Sequence, residues 1–277
     1  MSTEIRTLED NSTWTLETIP PVKNSLVVNG FSKLRSKSMT PLIGFHQFQA
    51  DHSLFTLVNS TSITLVLIYV EYILVAGNDT SQIEFFKGLI STHFKTKDLG
   101  SLKYFLRLEV TRFHNGIFLN QHKYALDVLS DSGQLCAHTA HFPMEQHLKL
   151  STEDDDFLPD PCPYRRLVGR LIYLTITRAD IVYAINTFSQ FMYAPRVPHM
   201  AAATRVLCYI KSGPGQSIFF PSSRCMHVTA YTNSDWASCP IIHCSTIGYL
   251  IQLGTNPISW RTKKQTTVVR SSADAEY

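Results

Sequence analysis

The 277-residue sequence has six cysteines but no Cys-x-x-Cys pair, no low-complexity tract and no apolar signal at its start, where Met1 to Asp10 is polar and acidic. The apolar run Ile63 to Gly77 is too short and too charged to span a bilayer. A secreted disulfide scaffold and a membrane protein are therefore excluded as expectations. The reading is an intracellular chain with free thiols and no signal peptide or transmembrane segment. No phosphate-binding glycine loop and no Gly-x-Ser-x-Gly elbow occurs, so nucleotide hydrolysis by a P-loop and esterase chemistry have no foothold. Cys225, His227, Cys239, His243 and Cys244 cluster near the C-terminus, but their spacings match no structural zinc pattern, and no metal site is expected from them.

What is present is a 44% apolar composition, enough for a sizeable core and one or two domains. The net charge of +3 conceals an asymmetry. Residues 164–277 carry 12 Lys and Arg against four Asp and Glu, a balance of +8, and the remainder carries 13 against 18, or −5. A basic second half suits a polyanion such as nucleic acid, or is an ordinary solvated surface.

The most informative stretch is Ile63 to Gly77, two β-branched apolar runs flanking Glu71. It predicts a hairpin whose strands are filled on both faces, with an acid at the tip where water or a cation can reach it. Tyr69-Val70-Glu71-Tyr72 followed by Ile73-Leu74-Val75-Ala76-Gly77-Asn78-Asp79 resembles the palm hairpin of the reverse transcriptase in copia-type retrotransposon polyproteins. That family carries Tyr-Val-Asp-Asp there, and the resemblance implies two aspartates holding magnesium for phosphoryl transfer. Here Glu71 keeps a carboxylate one methylene too long for the roughly 2.1 Å magnesium distance, and Tyr72 supplies no anion.

Glu4 to Trp14 is similar to the opening of the same domain, whereas Asn29-Gly30-Phe31-Ser32-Lys33-Leu34 resembles a much later part of it. Between them the family carries fingers and a Leu-Asp-Val-x-Asn-Ala-Phe-Leu motif whose aspartate is another metal ligand. The chain jumps over this motif near Val22 to Val28, the mark of an internal deletion or a mis-predicted splice. Thr3 to Asp10 reads as a helix and Thr13 to Ile19 as extended chain. Leu42 to Phe48 and Ser53 to Val58 read as strands, with Asp51 either a turn residue or a substitute metal ligand. Ser81 to Glu84 reads as a capping box ahead of a helix with Ile83, Phe86 and Ile90 on one face.

Lys97-Asp98-Leu99-Gly100 and the following Tyr104-Phe105-Leu106 resemble the family's next turn and strand, which there continue Phe-Leu-Gly near the primer. Arg107 stands where the glycine is usual and is expected to crowd backbone approach. Asn115-Gly116 predicts a hairpin turn with positive φ angles, and Gln121 to Ser132 a helix stopped by Gly133. Gln134 to Pro163, with four prolines and the run Glu153 to Asp156, reads as a solvated linker.

Tyr164 to Lys211 is strongly helical, with stripes Leu167, Leu171, Leu174, then Ile181, Ile185, Phe188, Met192, then Val206 and Ile210. Tyr164 to Thr175 and Ser189 to Met192 resemble the family's connection to ribonuclease H. Arg165, Arg166, Arg170 and Arg178 either track a nucleic-acid backbone or lie over the bundle surface. Strands follow at Ser217 to Phe220, His227 to Tyr231, Thr246 to Leu253, Ile258 to Arg261 and Thr266 to Val269. Ala230 to Ala237 and Arg270 to Tyr277 are similar to the start of the family's ribonuclease H domain. The resemblance puts Asn233 where a catalytic aspartate belongs and Asp274 where the glutamate belongs, with two further acids expected beyond Tyr277.

The expected fold is α+β: a remnant of the reverse transcriptase domain over 1–28, a partial polymerase palm over 29–150, a linker and helical connection over 151–215, and a truncated ribonuclease H-like α/β segment over 216–277. The expected function is that of a degenerate, catalytically inactive fragment of an RNA-directed DNA polymerase and ribonuclease H polyprotein. Glu71 and Asp274 are its vestigial catalytic acids, and it holds no cofactor where the intact family uses magnesium. Arg165, Arg166, Arg170, Lys263 and Lys264 are its candidate contacts to RNA, DNA or a hybrid. A host-retained binding or interaction module and a non-functional pseudogene product are the alternatives.

Overall fold

Apolar alternation in the first part of the chain builds one antiparallel sheet with a helix on one side. The computed structural model describes residues 24–29, 44–70, 72–94, 96–146, 148, 150–151, 155–222, 227–237, 244–268 and 271–273. The expectations for Thr3 to Ile19 lie outside these residues. Two compact units divide the chain at Leu102 and Lys103.

The first unit contains β1 (Asn24–Asn29), β2 (His46–Gln47), β3 (Leu54–Val58), β4 (Ile63–Tyr69), β5 (Tyr72–Gly77), α1 (Thr80–His93) and β6 (Lys97–Ser101). Its sheet runs in the order β2-β3-β4-β5-β1-β6, with every pair antiparallel. The β4–β5 hairpin predicted from sequence is present, with Tyr69 paired to Tyr72 across the turn. Among the described residues, its strands are fully buried mainly on one face, with Ile63 at the start of β4 the buried residue on the other. Val66, Ile73 and Val75 join Phe55 against Ile83, Phe86 and Ile90 of α1, whereas Leu65, Leu67 and Leu74 on the other face remain partly exposed. A single helix layer covers one side of a sheet, so alternate residues differ in burial.

The helix begins at an N-cap earlier in the chain than the capping box foresaw. Asp79 accepts hydrogen bonds from the backbone N–H of Ser81 at 2.9 Å and of Gln82 at 3.3 Å. Glu84 instead pairs with Lys87 at 2.6 Å. A carboxylate at the N-cap satisfies two otherwise orphaned amides and complements the helix dipole.

The second unit holds β7 (Tyr104–Phe105), β8 (Leu108–Phe113), β9 (Gly116–Asn120), α2 (His122–Asp131), α3 (Cys162–Leu174), a 3₁₀ turn (Ala179–Ile181), α4 (Val182–Ser189), α5 (Val197–Ser212), β10 (Ile218–Pro221), β11 (Val228–Asp235), β12 (Thr246–Leu253) and β13 (Asn256–Lys264). Its sheets are ordered β10-β9-β8-β7 and β11-β12-β13. The helical stripes converge as their spacing predicts: Leu167, Leu171, Leu174, Ile181, Ile185, Phe188, Val206 and Ile210 share one core with Tyr124, Val128 and Leu129 of α2. Inside it the Tyr164 hydroxyl donates to the Phe188 carbonyl at 2.8 Å, and burial pushes that phenol's pKa well above its usual value.

Two local expectations are corrected here. The β8–β9 turn is made by His114 and Asn115, since Phe113 pairs directly with Gly116, and neither Asn115 nor Gly116 has a positive φ. Gly116 is required for closeness instead: a Cβ there would lie 2.4 Å from the Phe220 carbonyl oxygen on β10. Residues 266–268 form no strand. The architecture is α+β, and among the described residues no helix is long and apolar enough to cross a membrane.

Candidate nucleic-acid interface

The hairpin between β4 and β5 turns at Val70, which has φ 48° and is 70% exposed. Glu71 lies outside the described residues, as does Asp274. The strand that reaches this tip from the side is β1, whose pairing with β5 runs from Asn24 opposite Gly77 to Asn29 opposite Tyr72. Asn24 to Asn29 contains no carboxylate. Two sheet positions at the tip are thus a tyrosine and an asparagine, neither of which gives magnesium an anionic ligand. The described residues do not fit the family's ion.

Neighbouring acids are engaged elsewhere. Asp98 lies across from Val28 on β6, but its Oδ1 accepts from the Gly100 N–H at 2.8 Å and its Oδ2 pairs with Lys87 at 2.9 Å. Burial alone would raise its pKa; the Gly100 amide and Lys87 outweigh it, and the carboxyl is held below its usual range. Asp51 closes a turn, its Oδ1 accepting from the Ser53 N–H at 2.9 Å and the Ser53 hydroxyl at 2.5 Å. Among the described residues no three His, Cys, Asp or Glu side chains gather where they could hold a metal ion. Cys244 is buried, and Cys225, Cys239 and His243 lie outside the described residues.

In the second unit, the β7–β8 turn, α2 and α3 enclose an open cleft of about 530 Å³ lined by Leu106, Arg107, Tyr124, Arg166, Arg170 and Tyr173. The turn is left-handed at both central residues, Leu106 at φ 48° and Arg107 at φ 62°. Tyr173 anchors it by donating its hydroxyl to the Leu106 carbonyl. The Tyr124 hydroxyl donates to the Arg170 carbonyl at 3.1 Å, and the two tyrosine rings meet edge to face at 5.3 Å. The Arg107 and Arg170 guanidinium carbons stand 5.3 and 6.0 Å from the Tyr124 ring centre. Burial raises the Tyr124 pKa against the opposing pull of the arginines.

The sequence-predicted cations separate into different roles. Arg166 and Arg170 meet in the cleft. Arg165, next to Arg166, turns away: its Nε and Nη2 donate to the carbonyls of Met192 and Tyr193 at 2.7 and 2.8 Å, tying α3 to the residues after α4. Arg178 is 2% exposed and forks onto Asp180, so it follows no backbone. Lys263 and Lys264 are consecutive on β13 and therefore point to opposite faces. Lys264 donates to Gln190 at 3.0 Å, and Lys263 is exposed. Asn233 sits exposed on β11 opposite Gly248. Arg107, read from sequence only as a steric departure, is the cleft's third cation, and its place beside a helix about 60 residues later has no local signal.

A family profile described as reverse transcriptase (RNA-dependent DNA polymerase) matches residues 26–146. A retrovirus-related Pol polyprotein from transposon RE2 of Arabidopsis thaliana is 40% identical over 247 residues, 89% of this chain. The chain belongs to the reverse transcriptase family of copia-type retrotransposon Pol polyproteins. The Pol polyprotein of transposon TNT 1-94 from Nicotiana tabacum is 31% identical over 80% of the chain. The chain spans 17% of the length of each of these polyproteins. An uncharacterized mitochondrial protein of Arabidopsis thaliana, AtMg00810, is 37% identical over 212 residues and is matched over 88% of its own length. No solved structure matches the chain. Family membership gives the left-handed turn its context: with φ 62° at position 107, glycine is the unstrained residue, and this chain carries arginine instead.

Proposed function

We propose that this reverse transcriptase-family chain is catalytically silent and retains sequence-indifferent binding of nucleic acid. The observation that carries the first part is the pairing of Asn29 with Tyr72 beside the hairpin tip. A two-metal polymerase needs acids from both the hairpin and a neighbouring strand, and β1 has none to offer. Binding is supported by the +8 balance from Tyr164 onward and by the meeting of Arg166 and Arg170 in one open cleft. Such cations bind phosphates by releasing counterions, so affinity falls steeply with salt and base sequence matters little. Within this reading, 1–28 is a remnant of the reverse transcriptase domain, 29–150 a partial palm, 151–215 the linker and connection, and 216–277 a ribonuclease H-like segment in which Asn233 and Asp274 are vestigial.

A second reading, a host-retained binding module, is favoured by the extent of AtMg00810, which this chain matches over 88% of its length. Two measurements on the full chain test the proposal. Primer extension on a primed RNA or DNA strand with magnesium or manganese is expected to give no incorporation above a Glu71→Ala control; incorporation above it overturns the silent reading. Titration of a labelled RNA–DNA hybrid at two salt concentrations is expected to show binding that weakens sharply at the higher one. Absence of binding at low salt, or indifference to salt, overturns the second part.

A further inference from the structure

The cleft between the Leu106-Arg107 turn and helices α2 and α3 has a charge arrangement more specific than a basic surface. Three guanidinium groups line it, Arg107, Arg166 and Arg170. Two carboxylates one helical turn apart on α2 offset them in part. Asp131 holds Arg170 at 2.8 Å, while Asp127 stands 3.9 Å from Arg107, with both side chains about half exposed. The Arg166 side chain, on an exposed residue, makes no hydrogen bond or ion pair with the other described residues; its charge acts on Asp160 through space. The phenol hydroxyls of Tyr124 and Tyr173 are spent on backbone carbonyls. The cleft therefore presents guanidinium donors, with Asp127 only loosely engaged and no carboxylate in its lining.

We propose that this cleft binds a terminal phosphoryl group carrying two negative charges, with Arg107 and Arg166 as its donors and Arg170, fixed by Asp131, as the charge behind them. Guanidinium is the side-chain group that meets a phosphate with paired N–H donors. Asp127, Asp131 and the more distant Asp160 all stand outside the lining, so the groups facing the cleft are guanidinium donors, and a dianion gains more from their field than an interior phosphodiester does. The cleft is open, so the phosphoryl group can belong to a longer molecule. Arg107 gives the site its particular character, because it occupies a left-handed position that glycine would fill without strain. It also lies outside the basic half invoked for general nucleic-acid binding, so although Arg166 and Arg170 are shared with that reading, Arg107 distinguishes this site from it.

The test uses the full chain with inorganic pyrophosphate as probe, read by titration calorimetry at low salt. Saturable binding at one site is expected, weakened at least about tenfold by Arg107→Gly and comparably by Arg166→Gln. Glycine adopts the φ of position 107 freely, so Arg107→Gly is expected to lose the ligand with an unchanged or raised melting temperature, which a purely structural role would not produce. Arg107→Lys, keeping the charge without the fork, is expected to bind with intermediate affinity. Stronger competition by a 5′-phosphorylated oligonucleotide than by its unphosphorylated twin assigns the group to a strand end; failure of both to compete assigns it to a free phosphate compound. Equal competition by the two oligonucleotides, pyrophosphate binding indifferent to Arg107→Gly, or no pyrophosphate binding overturns the proposal. Hybrid binding on the full chain that survives Arg107→Gly while pyrophosphate binding is lost separates this site from the general reading, on which its other two arginines rest.

Discussion

Arg178 and Asp180 form a forked ion pair in the helical core of the second unit. The Arg178 Nε donates to Asp180 Oδ1 at 2.9 Å and its Nη2 to Oδ2 at 2.7 Å. The fork is held from both sides, since Arg178 Nη1 also donates to the Gly213 carbonyl at 3.0 Å and the Tyr209 hydroxyl donates to Asp180 at 2.8 Å. This pair fastens the start of α4 to the end of α5.

Asp180→Asn is therefore expected to destabilise the second unit by about 3 kcal/mol, because it leaves a buried guanidinium without its counter-charge. Burial alone would raise the Asp180 pKa, but Arg178 and Tyr209 more than reverse that and hold the carboxyl below its usual range. A depressed folded pKa means that the unfolded chain binds the proton more readily. The pair's stabilisation is thus complete above the ordinary carboxyl range and is lost as pH falls below about 4. Thermal unfolding at neutral and acid pH checks this, with a shallower acid loss expected for Asp180→Asn than for the wild type.

A second pH dependence comes from His199, which is 1% exposed and stacks on Phe191 with ring centres 3.9 Å apart. Its Nδ1 accepts from the Arg196 N–H at 3.0 Å, which leaves Nε2 as the donor to the Ser151 carbonyl at 3.0 Å. Burial lowers its pKa, with the Arg196 charge acting in the same direction against the Ser151 bond. The neutral ring is the folded form, so stability is expected to be full above about pH 6.5 and to decline below it as the unfolded imidazole takes up a proton. His199→Phe is expected to remove that decline while costing about 1–3 kcal/mol at pH 8, from the loss of its hydrogen bonds to the Arg196 N–H and the Ser151 carbonyl. Denaturant midpoints across this pH range decide it.

Two glycines should respond oppositely to alanine. Gly116→Ala places a methyl 2.4 Å from the Phe220 carbonyl oxygen and 2.6 Å from the Phe219 ring, and is expected to part β10 from β9 at a cost of about 1–3 kcal/mol. Gly169 lies inside α3, and a methyl added there would meet nothing within 4 Å. Gly169→Ala is expected to stabilise by about 0.5–1 kcal/mol. Melting temperatures of the two variants provide the comparison.

Restoring the hairpin acids is not expected to restore synthesis. The double variant Glu71→Asp with Tyr72→Asp would supply acids at the tip, but the neighbouring β1 ends in Asn29 and carries none. A two-metal site still lacks its upstream ligand. Primer extension by the double variant is the measurement; extension above background would mean that another acid, such as Asp51, has moved into the site.

Local patterns in the sequence determined the hairpin from Ile63 to Gly77, the three helical stripes between Leu167 and Ile210, the end of α2 before Gly133 and the strand Thr246–Leu253. Each rests on a periodicity or turn residue read within one or two turns of chain, where side-chain spacing follows directly from backbone geometry. Family membership was equally legible, because its motifs are local strings. The tertiary structure alone decided that β1 lies between β5 and β6, that Ile218–Pro221 pairs with β9, and which face of the hairpin sheet packs against α1. It also decided which cations share a site: Arg107 joins Arg166 and Arg170, while Arg165, Arg178 and Lys264 are spent on the fold. Charge counts give a sum over residues, but whether a guanidinium faces a cleft, a carbonyl or a buried carboxylate depends on pairings between segments far apart in the chain, and no local spacing encodes those.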